Sequence, residues 1–304
     1  MPTRLVIGAG AVGGPLARRL LELGDQVRVA TRSGTPLQGA TSVALDVKDA
    51  EAVSRAAEGA RTVFLCTNPP YSQWPQEWPP AFESVISAGE RTGADLVVMG
   101  NLYGYGPVRS PMREHDPLAA TEQKGRIRAE GWERLRAAQD AGRVRVAEVR
   151  ASDYFGPHAG KNAHLGSRFF GPLLAGKTAR VLGDPALEHS WAYLPDVVGT
   201  LLAAADYSGE WGRAWHPPHA SALPRTVIAR QVKERFGGSD RVKPYPPVLM
   251  PLLARVVPDI REVLRMEYQF TRPFLVDSAE TERLLAVRAT PWDEALEATV
   301  ASYR

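Results

Sequence analysis

The residues of this 304-residue chain with the clearest chemical meaning stand at its start. Gly8-Ala9-Gly10-Ala11-Val12-Gly13 has the spacing G-x-G-x-x-G, directly after the apolar run Leu5-Val6-Ile7. The first glycine permits a tight strand-to-helix turn, and the second lets main chain approach a diphosphate. The third lets helix and strand pack closely, while free N–H groups of the helix start face the anion. The spacing therefore predicts a dinucleotide site built on Gly8, Gly10, Ala11, Val12 and Gly13. An NAD-selective site carries an acidic residue about 20 residues further on to hold the ribose 2′-hydroxyl. Here that stretch reads Val29-Ala30-Thr31-Arg32-Ser33, without a carboxylate. A guanidinium (Arg32) and a hydroxyl (Ser33) suit a 2′-phosphate instead, so NADP(H) is expected over NAD(H). An exposed loop arginine is the plain alternative.

Further candidates follow other apolar runs. Asp46 and Val47 fall where such a fold contacts an adenine ring, and Thr67-Asn68-Pro69 where it edges the bound nucleotide. Asn101 and Tyr103 follow a fifth run, and the Tyr103 hydroxyl is a candidate proton donor to a carbonyl oxygen. A tyrosine packed beneath its loop is the alternative. Lys124 is a candidate for the ribose or substrate, or for a solvated face. Tyr71, Tyr154 and His158 are candidate substrate contacts. Tyr71, Trp74 and Trp78, interleaved with five prolines, predict a loop over an apolar substrate or a packed connection. His216 and His219 are separated by two prolines with no carboxylate beside them, so no metal site is expected.

The elements that must position these groups follow from periodicity. Leu5–Ile7, Gln26–Ala30, Thr41–Leu45, Thr62–Cys66, Asp95–Met99 and Val144–Val149 read as strands. Helical spacing appears from Val12 to Leu23, from Ala50 to Glu58, from Gln76 to Arg91 and from Thr121 to Ala141. Strand–helix alternation predicts an α/β fold, a Rossmann doubly wound parallel sheet with helices on both faces. Beyond residue 150 proline and glycine become frequent. Helices are expected at Val197–Ala205, Thr226–Phe236, Leu249–Met266 and Trp292–Tyr303, giving a smaller helix-rich C-terminal substrate domain. The expected division is 1–157 for the nucleotide-binding domain, with 179–220 contributing to it, and 158–178 with 221–304 for the substrate part.

Composition excludes several classes. With 44% hydrophobic and 23% charged residues the chain is globular, not disordered. A net charge of +3 from 37 basic and 34 acidic residues argues against a nucleic-acid partner. The lone Cys66 excludes an intrachain disulfide and fits a reducing compartment. The opening residues lack the charged-then-apolar pattern of a leader, and no apolar run approaches the ~20 residues of a membrane span. A cytoplasmic protein without a membrane partner is expected.

Several stretches resemble the extended short-chain dehydrogenase/reductase superfamily, the NAD-dependent epimerase/dehydratases. They are the glycine turn, Asn101-Leu102-Tyr103-Gly104-Tyr105-Gly106-Pro107, Arg150–Pro157 (RASDYFGP) and Tyr193–Val197 (YLPDV). The resemblance implies a Rossmann domain with a small C-terminal substrate domain, and leaves a homodimer as an open expectation. It also implies a Tyr-x-x-x-Lys pair on the long helix, and that pair is absent: none of the nine tyrosines has lysine four residues later. Matching Arg126–Glu130 to the family's K-x-x-x-E places Arg126 at the lysine, Glu122 at the tyrosine and Asn101 at the serine. The chain thus reads as an atypical NADP(H)-dependent reductase or dehydrogenase, exchanging hydride with a small carbonyl or enone-type substrate. A non-catalytic NADP(H) sensor is one alternative. A nucleotide-sugar epimerase or dehydratase with a displaced acid–base group is another.

Overall fold

The computed structural model describes residues 1–108, 111–160, 163–246 and 248–304. Its centre is a seven-stranded parallel sheet. The strands are β1 (Thr3–Ile7), β2 (Gln26–Thr31), β3 (Thr41–Ala44), β4 (Ala60–Leu65), β5 (Asp95–Asn101), β6 (Val146–Ala151) and, outermost, Arg213–Trp215. Their spatial order is Arg213–Trp215, β6, β5, β4, β1, β2, β3. The order reverses beside β1, which pairs with β2 on one side and β4 on the other. In such sheets the crevice for a ligand opens at this switch point, at the carboxyl ends of the strands.

Alternation along each buried strand feeds two cores. Leu5 and Ile7 of β1 and Val63 and Leu65 of β4 face α2 (Ala50–Ala57), α3 (Trp74–Thr92) and α4 (Gln123–Asp140). Val6, Phe64 and Val97 face the opposite layer, built from α1 (Gly13–Glu22) and the helix Leu194–Ala205. This is the doubly wound α/β sandwich expected of near-continuous apolar strands. The late strand Arg213–Trp215 was not visible in the pattern: three residues are too few to show a period, and pairing with β6 defines them. A third core gathers the helices Ser167–Leu174, Arg225–Phe236 and Trp292–Ala301 of the helix-rich C-terminal region.

Three local expectations are corrected. Trp74 and Trp78 lie inside α3, not in a loop, and both are buried. Leu249–Met266 is not one helix but two short ones, Leu249–Leu253 and Pro258–Leu264. Pro258 lacks the N–H that a continuous helix would need, so it opens the second helix instead. Finally, α4 begins at Gln123, not at Thr121. Glu122 is its N-cap, accepting the main-chain N–H groups of Lys124 and Gly125 at 2.6 and 2.8 Å.

Candidate active site

The glycine turn is built as its spacing predicts. Gly8 has φ +98°, and a Cβ there would lie 2.7 Å from the Thr67 nitrogen. A Cβ on Gly13 would lie 1.9 Å from the Gly8 carbonyl oxygen. Neither position admits a side chain, whereas a Cβ on Gly10 would meet nothing within 4 Å. Gly10 is therefore where main chain is open to a close-lying ligand. No side chain caps the N-terminus of α1; Gly14 N already donates to Gly10 O at 3.0 Å, so it is the N–H groups just before it in the turn that are left for an anion. The turn is anchored on both flanks: Gly8 N donates to Ala30 O, and Cys66 N to Ile7 O, each at 2.8 Å. These residues fit a nicotinamide dinucleotide.

From the turn a cavity of about 1140 Å³ runs across the carboxyl ends of the strands. Gly8, Gly10, Ala11, Val12, Arg32, Ser33, Asp46, Val47, Thr67, Asn68, Pro69, Tyr71, Asn101, Tyr103 and Tyr154 all line it. Arg32 and Ser33 are exposed, directly after β2. Asp46 is also exposed, and its Oδ1 accepts the Lys48 N–H at 3.0 Å.

Midway along, Asn101 Oδ1 accepts the main-chain N–H of Tyr103 at 3.1 Å. This bond turns the chain out of β5 and aims the phenol at the cavity. The Tyr103 and Tyr71 hydroxyls lie 2.6 Å apart, one donating to the other. Trp74 stacks on Tyr103 at 6.0 Å between centroids and meets Tyr71 edge-on at 5.1 Å. Burial pushes the Tyr103 phenol well above its ordinary value, and nearby Tyr71 and Asp153 add to this. Burial likewise pushes Tyr71 up to about 12. Both phenols therefore keep their protons at neutral pH.

Two candidates lie elsewhere. Lys124 is fully buried, but its Nζ donates to Glu262 Oε2 at 2.6 Å, away from the cavity lining. His158 is an exposed turn residue with φ 58°, also outside the lining. The sequence match of Arg126 and Glu122 to the missing pair is corrected too. Arg126 is exposed, and Glu122 is engaged in capping.

The cation that α4 does present to the cavity is Arg128, one of several charged residues along that helix. It is buried, with its guanidinium 3.7 Å from the Trp78 ring centre. At the far end Asp153, His164, Arg168, Arg180 and Arg225 join the lining. Burial alone would raise the Asp153 carboxyl, yet His164, His189 and Arg225 hold it below its ordinary value. Arg225 donates to the Leu182 and Asp184 carbonyls, while its Nη1 has no hydrogen-bond partner among the described residues. Only a faint signal marked these groups in sequence, the histidines and arginines scattered through a Gly/Pro-rich region. Among the described residues no cluster of histidine, cysteine and carboxylates is arranged to hold a metal, and no helix is long and apolar enough to cross a membrane.

Residues 4–215 match the model of the NAD dependent epimerase/dehydratase family, and the chain belongs to that family. It is thus an enzyme of the NAD-dependent oxidoreductase type. A curated relative is the dTDP-6-deoxy-L-talose 4-dehydrogenase (NAD(P)(+)) of Kitasatospora kifunensis, 26% identical over 68% of this chain and 71% of the relative. Among solved structures, MoeE5 in complex with UDP-glucose and NAD superposes with a TM-score of 0.80. It is 18% identical, with 99% of this chain and 98% of the other covered. The UDP-glucose 4-epimerase of Thermotoga maritima gives the same TM-score and coverage at 16% identity. At these identities the structural likeness speaks for the fold.

Proposed function

We propose that the chain is an NADP(H)-dependent oxidoreductase acting on a small carbonyl or enone-type group of a substrate that also carries an acidic group. One observation carries the reading: a single cavity joins the glycine turn and Arg32 to Tyr103, and continues to the arginines Arg168, Arg180 and Arg225. When bound, the nicotinamide supplies or accepts hydride. The chain's own groups do the rest. Gly8–Gly13 hold the diphosphate, Arg32 and Ser33 the 2′-phosphate, Asp46 and Val47 the adenosine side. Thr67, Asn68 and Pro69 border the cofactor where β4 ends. Asn101 orients Tyr103, whose hydroxyl donates a proton to the substrate oxygen, with Tyr71 resupplying it across their shared hydrogen bond. Burial keeps this phenol protonated at neutral pH but also makes it a weaker acid, so donation depends on the negative charge that gathers on the substrate oxygen as hydride arrives. Lys124 takes no part, being committed to Glu262.

The three arginines favour a second reading within the same site, a nucleotide-sugar enzyme with a displaced acid–base group. The relative named for a dTDP sugar and the neighbour holding UDP-glucose lend it support. Calorimetric titration with NADPH and NADH tests the cofactor, and NADPH oxidation against ketones, quinones, enones and dTDP- or UDP-linked ketosugars tests the reaction. Tighter NADPH binding with turnover of an acidic carbonyl substrate is expected. Saturable NADPH binding without turnover on any of these compounds would favour a sensor. Tighter NADH binding would remove the 2′-phosphate assignment.

A further inference from the structure

We propose that Arg128 is a catalytic residue of the cleft, the cation that takes hold of the substrate's reacting carbonyl oxygen as negative charge gathers on it. The proposal rests on the oxidoreductase reading above and deepens it.

Arg128 sits in the middle of α4 and is only 5% exposed, yet it lines the cavity. A guanidinium so far from bulk water is ordinarily matched by a carboxylate. Here none is matched to it among the described residues. The carboxylate of Glu148, on neighbouring β6, is held by Arg150 Nε at 2.6 Å instead. Arg128 Nη1 makes one long bond, 3.3 Å, to the Met99 carbonyl, and Nε has no partner. Its Cζ lies 3.7 Å from the Trp78 ring centre and 5.0 Å from that of Trp74, and these two rings stand at 79° to each other. Two differently inclined indoles thus confine the guanidinium without supplying it an acceptor. The cation–π contact also offsets part of the desolvation of the charge.

The surroundings say what that edge would meet. Around it stand the phenols of Tyr71, Tyr103 and Tyr154. Asn101, Ser152 and Tyr154, where β5 and β6 end, share the cavity wall with it. Burial lowers the Arg128 pKa to about 10, which still leaves it charged at neutral pH. A fixed cation in a low-dielectric cleft, influenced by the Glu148 carboxylate but not bonded to it, is preorganised for an oxygen bearing or gaining negative charge. It binds and polarises that oxygen without surrendering a proton, so proton supply stays with Tyr103. A flat guanidinium held beside two indoles presents a fork that an ammonium does not reproduce.

Formate is a probe of this edge that needs no knowledge of the substrate. Sodium formate is titrated calorimetrically into protein loaded with NADP+. Wild-type protein is expected to bind it saturably. Arg128→Met should weaken formate at least tenfold while holding NADP+ affinity within threefold. Arg128→Lys should recover only part of the loss, and Arg126→Met, on the exposed face of the same helix, should bind formate as wild type does. Should Arg128→Met fail to fold by circular dichroism, Arg128→Gln and Arg128→Lys carry the comparison. Absence of formate binding by wild-type protein, or undiminished binding in the folded Arg128 variants, overturns the proposal. Failure of the cofactor reading shows separately, as absent NADP+ binding by wild-type protein. Formate titrated into the nucleotide-free protein then decides Arg128 by the same comparison.

Discussion

The two roles proposed for Arg32 and Tyr103 can be separated by single substitutions. Arg32→Ala removes the charge-assisted contact assigned to the 2′-phosphate, a loss of about 1.5–3 kcal/mol, or roughly 10–100-fold in NADPH affinity. NADH, lacking that phosphate, should bind the variant as it binds wild type; titrating both nucleotides checks this. Tyr103→Phe keeps the stacking on Trp74 but removes the hydroxyl, so turnover should fall by about 10²–10⁴ with NADPH affinity retained. Unchanged turnover in stopped-flow assays would clear that hydroxyl of the role. What was readable in sequence at this scale was whatever depends on near neighbours. The glycine turn needs only its own strand and helix, and the place of Arg32 just after β2 only its distance from that turn. Arg128 could not be found this way. Its burial depends on Trp74 and Trp78, more than 40 residues earlier, and the charged residues flanking it on α4 made it look like one more solvated group.

At the level of elements, α4 is held to the C-terminal region by an ion pair rather than by an apolar stripe. Lys124 Nζ and Glu262 Oε2 lie 2.6 Å apart, with side chains only 2% and 10% exposed. Arg265 braces Glu262 at 2.9 Å from its own more exposed position. Deleting one partner of such a pair strands a buried charge, costing about 3–5 kcal/mol. Glu262→Ala should therefore lower the thermal midpoint by several degrees in calorimetry, and Glu262→Ala/Lys124→Met should regain part of it. A double variant no more stable than the single one would show that the pair is not the main tie. Nothing in the sequence linked residues 124 and 262. The helix that carries Glu262 was expected as the tail of a longer one, and Pro258 instead restarts the chain so that Glu262 faces α4.

Across the whole molecule, a polar chain threads the side of the sheet remote from the glycine turn. Arg150 Nη1 donates to the Tyr105 hydroxyl at 2.8 Å, and that hydroxyl meets His216 Nε2 at 2.8 Å. His216 Nδ1 lies 3.0 Å from the Asp277 carbonyl, joining β6, the strand Arg213–Trp215 and the C-terminal region. Burial lowers His216 to about 3, so the folded protein keeps it neutral. Between about pH 6.5 and about 3 the unfolded chain takes up a proton there that the folded chain refuses. The stabilisation is complete above about pH 6.5 and is lost as pH falls, amounting to several kcal/mol by the lower limit. Thermal midpoints measured from pH 7 to pH 4 should fall more steeply for wild type than for His216→Gln; equal slopes would exonerate this histidine.

The single thiol carries a practical consequence. Cys66 lies at the end of β4 beside the glycine turn, where a Cβ on Gly13 would come within 3.0 Å of its own. Burial pushes its pKa to about 12, so at neutral pH almost no thiolate exists to be alkylated or oxidised. Handling in air without reductant should leave the enzyme intact, and a cysteine introduced on the surface would be the sole position to take a maleimide dye.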